Sequence, residues 1–258
     1  MFNLRKTSAI AVMIALGGAV AQAQTNARPA SATKDVVIVH GALVGASGWR
    51  AVHDILVKDG FHVTIVEEPL TSLAEDVEAT ERAIDQLTGP VVLVGHSYAG
   101  AVITVAGADP KVRSLVYVAA FQPDVGETGG QLVSKFAPPN DAMRAAVNRG
   151  AQDKYFFVPP TKFRAAYAAD VSAPEAKFLA DAQQQLAEKA MSAPASVAAW
   201  RTKPSYAILT TQDHMVSPEL QHWMYKRSGA KVTELRASHA VFISQPTAVA
   251  RVIEAAAK

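Results

Sequence analysis

A short run of residues carries the first chemical signal: Gly95-His96-Ser97-Tyr98-Ala99-Gly100, which follows the apolar stretch Val91 to Val94 and opens an apolar helix. A sharp strand-to-helix turn holds its central residue in a strained conformation and needs small neighbours. Ser97 then projects at a helix N-terminus, where unpaired N–H groups favour developing negative charge. A serine that only caps a helix is the plain alternative. A serine hydroxyl is a weak nucleophile until a base takes its proton. His239 is placed for that role, in Ala237-Ser238-His239-Ala240 between an expected last strand and last helix. An acid must then hold the imidazole in the right tautomer. Asp213, in Thr211-Gln212-Asp213-His214 after the strand Tyr206–Thr210, is the first choice, and Asp124, after the preceding strand, is the second. A nucleophile, a base and an orienting acid together point to acyl transfer.

Such chemistry needs two N–H donors for an oxyanion. Tyr98, next to the serine, would supply one. Ala42, in the turn His40-Gly41-Ala42-Leu43 after the first strand, would supply the other. His40, Gly41 and Leu43 of that turn are expected to face substrate, with glycine at 41 letting the backbone come close. The His96 side chain should point away from its neighbour Ser97. His53, His62, His214 and His222 read as surface or packing residues. No two histidines have metal-ligand spacing within one helix, so no metal is expected, and no cofactor.

The elements that must position these residues follow from hydrophobic pattern. Strands are expected at Val36–Val39, Phe61–Val66, Val91–Val94, Leu115–Val118, Tyr206–Leu209 and Val232–Leu235. Helices are expected at Trp49–Lys58, Leu73–Leu87, Glu219–Arg227 and Thr247–Ala257. Short Val/Ile/Leu runs alternating with helices predict a mostly parallel central sheet with helices on both faces, an α/β fold. The rhythm breaks over about 125–203, which is rich in Ala, Gln and Pro and has helical stretches near Thr161–Ala169 and Ala173–Met191. This segment is expected to form a small helical cap over the sheet edge. Phe136, Tyr155, Phe156, Phe157, Tyr167, Phe178 and Trp200 are its candidates for lining a pocket.

Residues 1–23 have the layout of a secretory signal peptide: Arg5 and Lys6, an uncharged apolar run from Ala9 to Val20, and Ala21-Gln22-Ala23 as a small-x-small cut site. The apolar run is too short for a stable membrane anchor. Residues 24–34 read as a linker and 35–258 as the folded domain. A periplasmic or secreted location is therefore expected. Of the 25 basic and 23 acidic residues, the leader holds two basic and no acidic ones, so the remainder has 25 − 2 = 23 against 23 and no net charge. That balance gives no footing for a nucleic-acid partner. The chain has no cysteine, which excludes disulfides, a catalytic thiol and thiolate metal sites.

Residues 36–258 resemble the α/β-hydrolase superfamily, and are most similar to the branch holding plant methylesterases and hydroxynitrile lyases with their bacterial esterase-like members. The resemblance rests on His40-Gly41-Ala42 with Gly48-Trp49, on Gly95-His96-Ser97-Tyr98-Ala99-Gly100, on Thr211-Gln212-Asp213 and on Ser238-His239. It implies the α/β-hydrolase fold, a Ser97–Asp213–His239 triad in the family's chain order, and a small-molecule ester as substrate. Ala99 replaces the usual last glycine of the turn, a small-for-small change. Lyase members carry a hydroxyl residue and a lysine where this chain has Gly41 and Ala240, so ester hydrolysis is favoured over cyanohydrin cleavage. Carbon–carbon or lactone hydrolysis, perhydrolysis, and a non-catalytic binding protein stay open as alternatives.

Overall fold

The computed structural model describes Met1 and residues 33–136, 148–149 and 155–258. The expected leader and most of the linker lie outside the described residues, as does part of the expected cap. The chain from Asp35 alternates as its pattern requires: β1 Asp35–Val39, α1 Arg50–Lys58, β2 His62–Val66, α2 Leu73–Asp85, β3 Val91–His96, α3 Ala99–Ala106 and β4 Val112–Val118. After an excursion, β8 Ser205–Thr210, α8 Pro218–Ser228, β9 Lys231–Leu235, α9 Val241–Ser244 and α10 Pro246–Ala256 complete it.

These six strands form one sheet in the order β2-β1-β3-β4-β8-β9, and every neighbouring pair is parallel. Side-chain alternation along each strand splits the core into two layers. Val36, Ile38, Val92, Val94, Val116, Val118 and Ile208 meet α1 and α10 on one face. Val37, Val39, Leu93, Leu115, Tyr117 and Ala207 meet α2, α3 and α8 on the other. The four apolar residues Val36 to Val39 are each 0% exposed, so both faces of β1 are covered. Local signals set the helix ends. Ser72 caps α2 by accepting from the Glu75 N–H, and α8 starts after Ser217 and stops at Gly229, whose φ of 69° is left-handed.

The strand order reverses after β2, so the carboxyl ends of β1 and β3 flank the switch point where ligands bind in open parallel sheets. The segment between β4 and β8 lies outside the main sheet. It holds α4 Gly129–Lys135, β5 Asn148–Arg149, β6 Tyr155–Phe157, α5 Pro160–Tyr167, α6 Ala173–Asp181, β7 Leu186–Ala187 and α7 Glu188–Ser192. Two differences from expectation appear here. The strands β5, β6 and β7 pair as a small antiparallel sheet, and the helix expected to run from Ala173 to Met191 stops at Asp181. Tertiary contacts account for the break. The Gln183 side chain donates to Val158 O and accepts from Val158 N–H, at 2.8 and 3.0 Å. The Gln184 backbone pairs with Leu43. Among the described residues no helix is long and apolar enough to cross a membrane.

Candidate active site

The end of β3 runs directly into Ser97, which has φ of 54° although it bears a Cβ. Left-handed conformations of this kind cost roughly 1–3 kcal/mol and persist only where surroundings impose them. Here they do. Ser97 N–H donates to Val118 O at 3.2 Å, and Ser97 O accepts from the N–H groups of Gly100 and Phe121 at 3.1 and 3.0 Å. The backbone just after β4 packs so close that a Cβ on Gly100 would lie 2.0 Å from Phe121 O. Gly100 therefore carries the steric demand of the turn, and Ala99, 0% exposed, is accommodated where the usual pattern has glycine.

Three residues from three strand ends meet. Ser97 Oγ donates to His239 Nε2 at 2.8 Å, and His239 Nδ1–H donates to Asp213 Oδ2 at 2.8 Å. Asp213 is 0% exposed. Its Oδ2 also accepts from Thr210 Oγ1 at 2.8 Å and Gln221 Nε2 at 3.0 Å, and its Oδ1 accepts from the N–H groups of Met215 and Val216 at 2.7 and 2.9 Å. The carboxylate is thus held at both oxygens, which fixes the plane of the imidazole it serves. Asp124, the second choice for the acid, is instead paired with Arg201 at 2.5 Å. Sequence pattern gave no hint of Thr210 and Gln221. Gln221 lies on α8, and only the fold brings it to Asp213.

The turn expected to supply the second oxyanion donor follows β1. His40 Nδ1–H donates to Gly41 O at 2.8 Å, while Glu68 N–H donates to His40 Nε2 at 3.1 Å. In a planar trans peptide the C=O and the following N–H point in opposite directions. Fixing Gly41 O therefore also fixes where the Ala42 N–H points. Leu43, with φ of 75°, then exchanges two backbone bonds with Gln184 at 2.8 and 3.2 Å. Among the described residues the N–H groups of Ala42 and Tyr98 donate to no protein acceptor. The Tyr98 hydroxyl donates to buried Asp76 at 2.7 Å, which ties down the residue whose N–H is wanted.

Two sequence expectations about this turn need correction. His40 is 0% exposed, serves the backbone beneath the loop and does not line the cavity at Ser97. Gly41 is glycine because the nucleophile turn approaches it: a Cβ there would lie 2.8 Å from His96 Nδ1 and 2.9 Å from Ser97 Cβ. Leu43, the third residue expected at substrate, does line the cavity. His96 points away from Ser97 and has a task that its position did not reveal. Its Nε2–H donates to His239 O at 3.0 Å. Burial, with His239 beside it, pushes its pKa well down, so the ring stays neutral.

A cavity of about 420 Å³ opens on Ser97. Ala42, Leu43 and Tyr98 border it on the sheet side, and Phe156, Phe157 and Met191 on the side of the insertion. Of the seven aromatic residues proposed to line a pocket, Phe156 and Phe157 do so. Tyr167 packs edge-on to the His239 ring at 4.9 Å, Trp200 donates to Pro123 O, and Phe178 is 61% exposed. Phe136 packs against Trp223. Phe121 and Met215 border the cavity without having been singled out in the sequence. Among the described residues no group of three or more ligand-type side chains could hold a metal ion.

A serine at a strained strand–helix turn, with histidine and acid on later strand ends of a parallel sheet, is the arrangement of the α/β-hydrolase class. The model of the alpha/beta hydrolase family matches residues 36–252, and the chain belongs to that family. It is 26% identical over 208 residues to Methylesterase 8 of Arabidopsis thaliana, covering 73% of this chain and 75% of that protein. It is 38% identical over 118 residues to the carbendazim hydrolyzing esterase of Nocardioides sp. (strain SG-4G), covering 40% of this chain and 48% of that one. The crystal structure of a pyrethroid hydrolase from Sphingobium faniae JZ-2 superposes with a TM-score of 0.74 at 21% identity, covering 85% of this chain and 95% of that one.

Proposed function

We propose that this protein is a serine-dependent carboxylic ester hydrolase acting on small to medium, uncharged and largely apolar esters. The observation that carries the reading is the unbroken hydrogen-bond relay from Ser97 Oγ through His239 to Asp213, each link 2.8 Å, opening on an apolar cavity. Esterase names among the relatives support it. Ser97 Oγ attacks the ester carbonyl as His239 Nε2 takes its proton. The N–H groups of Ala42 and Tyr98 hold the oxyanion. Collapse breaks the C–O bond, and His239 gives the proton to the leaving alcohol. Water, deprotonated by His239, then attacks the acyl-enzyme, and the acid leaves with Ser97 restored. Asp213 orients the ring and stabilises its charged form throughout.

The cavity volume limits the substrate. About 420 Å³ lies near the lower end of the range for drug-sized ligands. Phe156, Phe157, Met191 and Met215 reward apolar acyl or aryl groups. The test is fluorophosphonate labelling of the purified protein read by intact mass, followed by a panel of p-nitrophenyl and methyl esters. Wild type should gain one adduct, and Ser97→Ala none, with kcat lower by on the order of 10⁴-fold or more. Retention of more than a few per cent of activity by Ser97→Ala would defeat the proposal.

A further inference from the structure

The loop that carries His239 is held on both flanks by the inserted segment. On one side, Ser238 N–H donates to Asp170 Oδ2 at 3.1 Å, and the Ser238 hydroxyl donates to Asp170 Oδ1. On the other, Ala240 N–H donates to Tyr167 O at 3.1 Å. Ser244, on α9, donates its hydroxyl to the same Asp170 Oδ2 at 2.8 Å. Between these fixings the His239 carbonyl is held by His96. Ser238 and His239 are 2% and 1% exposed, whereas Asp170 is exposed. An exposed carboxylate usually contributes little as an ion pair. Asp170 instead accepts hydrogen bonds from a backbone N–H and two hydroxyls, and so constrains the path of the chain next to the histidine.

We propose that Asp170 is a positioning residue for the hydrolysis proposed above, acting through Ser238 to keep His239 Nε2 in register with Ser97 Oγ. This rests on the triad reading but goes beyond it: the insertion supplies part of the catalytic alignment as well as cavity wall. Without Asp170, the Ser238 N–H and hydroxyl lose their shared acceptor. The backbone at 237–240 is then free to shift away from the arrangement that gives the 2.8 Å contact. A displacement of about 1 Å in a reacting pair can cost on the order of 100-fold in rate.

The experiment compares wild type, Asp170→Ala, Asp170→Asn and Ser238→Ala, each assayed well below its own melting temperature. Two readouts are taken: the second-order rate of fluorophosphonate labelling at Ser97, and kcat and KM for a p-nitrophenyl ester. Asp170→Ala should lower kcat and the labelling rate together by roughly 10- to 100-fold with KM within about twofold. Asp170→Asn should recover most of that loss. Its oxygen still accepts from Ser238 N–H, and its amide can donate to Ser238 Oγ, whose proton turns to Tyr167 O at 3.2 Å. Ser238→Ala should fall between wild type and Asp170→Ala. If Asp170→Ala is folded and both labels and turns over at the wild-type rate, or if only its melting temperature falls, the proposal is overturned. Wild type that takes no label would instead defeat the reading of the triad itself.

Discussion

Among the described residues, two buried carboxylic acids stand at the carboxyl ends of strands, and they are treated in opposite ways. Asp213, after β8, accepts from His239, Thr210, Gln221 and the N–H groups of Met215 and Val216. Glu68, after β2, is 6% exposed, and neither of its carboxyl oxygens has a donor among the described residues. Burial, reinforced by the nearby charge of Asp76, raises Glu68 well above the usual carboxylate range. Its neighbour Thr80 already donates its hydroxyl proton to Asp76 O at 3.0 Å, so toward Glu68 it can only accept. The Glu68 site is built for a neutral acid, and the Asp213 site is lined with donors. Depth in the core is common to both; the donors around them separate the acid proposed for the triad from a silent one.

Substitutions at each site sharpen that contrast. The largest effect is expected for Asp213→Asn. An amide favours the wrong imidazole tautomer, and kcat should fall by on the order of 10³- to 10⁴-fold with little change in KM, measured by steady-state ester hydrolysis. Gln221→Leu comes next. It removes a donor from Asp213 Oδ2 and the acceptor of the Thr210 N–H. A stability loss of about 1–3 kcal/mol by urea titration, with kcat down several-fold, is expected. Unchanged kcat in Gln221→Leu would mean that the outer donors do not matter to Asp213.

The third effect has the opposite sign. The folded state keeps the Glu68 proton at pH values where the unfolded chain has released it. Stability from this group is therefore greatest in acid and is lost as pH rises from the ordinary carboxylate range toward the raised value. Glu68→Gln carries no such proton. Its melting temperature should match wild type near pH 4 and exceed it increasingly toward pH 8. The corresponding difference in unfolding free energy can grow by at most about 1.4 kcal/mol per pH unit. A constant gap across that range would show that Glu68 is ionised in the folded protein.

Much of this was legible in the sequence, for definite reasons. The strands of the main sheet announced themselves because Val36–Val39 and Val91–Val94 are apolar on both faces, which only a covered parallel sheet allows. Ser97 and Asp213 were legible as candidates because each follows such a strand, and His239 because it lies between the last strand and the last helix. What could not be read depends on contacts between distant segments. Gln221 reaches Asp213 from a helix, His96 reaches the backbone of a residue 143 positions away, and Asp170 reaches Ser238 across 68. None of these has a local spacing signal. The helix expected through Met191 failed for the same reason: the side chain of Gln183 and the backbone of Gln184 bind other segments instead of continuing the turn.

The close approach at Gly41 bears on how this catalyst can be altered. The residue faces His96 and Ser97 at distances that leave no room for a Cβ. Installing at 41 the hydroxyl residue that lyase-type members carry would therefore push on the nucleophile turn itself before any new chemistry could be gained. Ala240, the other position at which those members differ, is buried but already carries a Cβ. Of the two substitutions separating this chain from lyase-type members at these positions, the one at 41 must be preceded by changes in the turn around Ser97. Laboratory evolution toward a lyase would have to begin there, with a variant whose hydrolytic activity has already been disturbed.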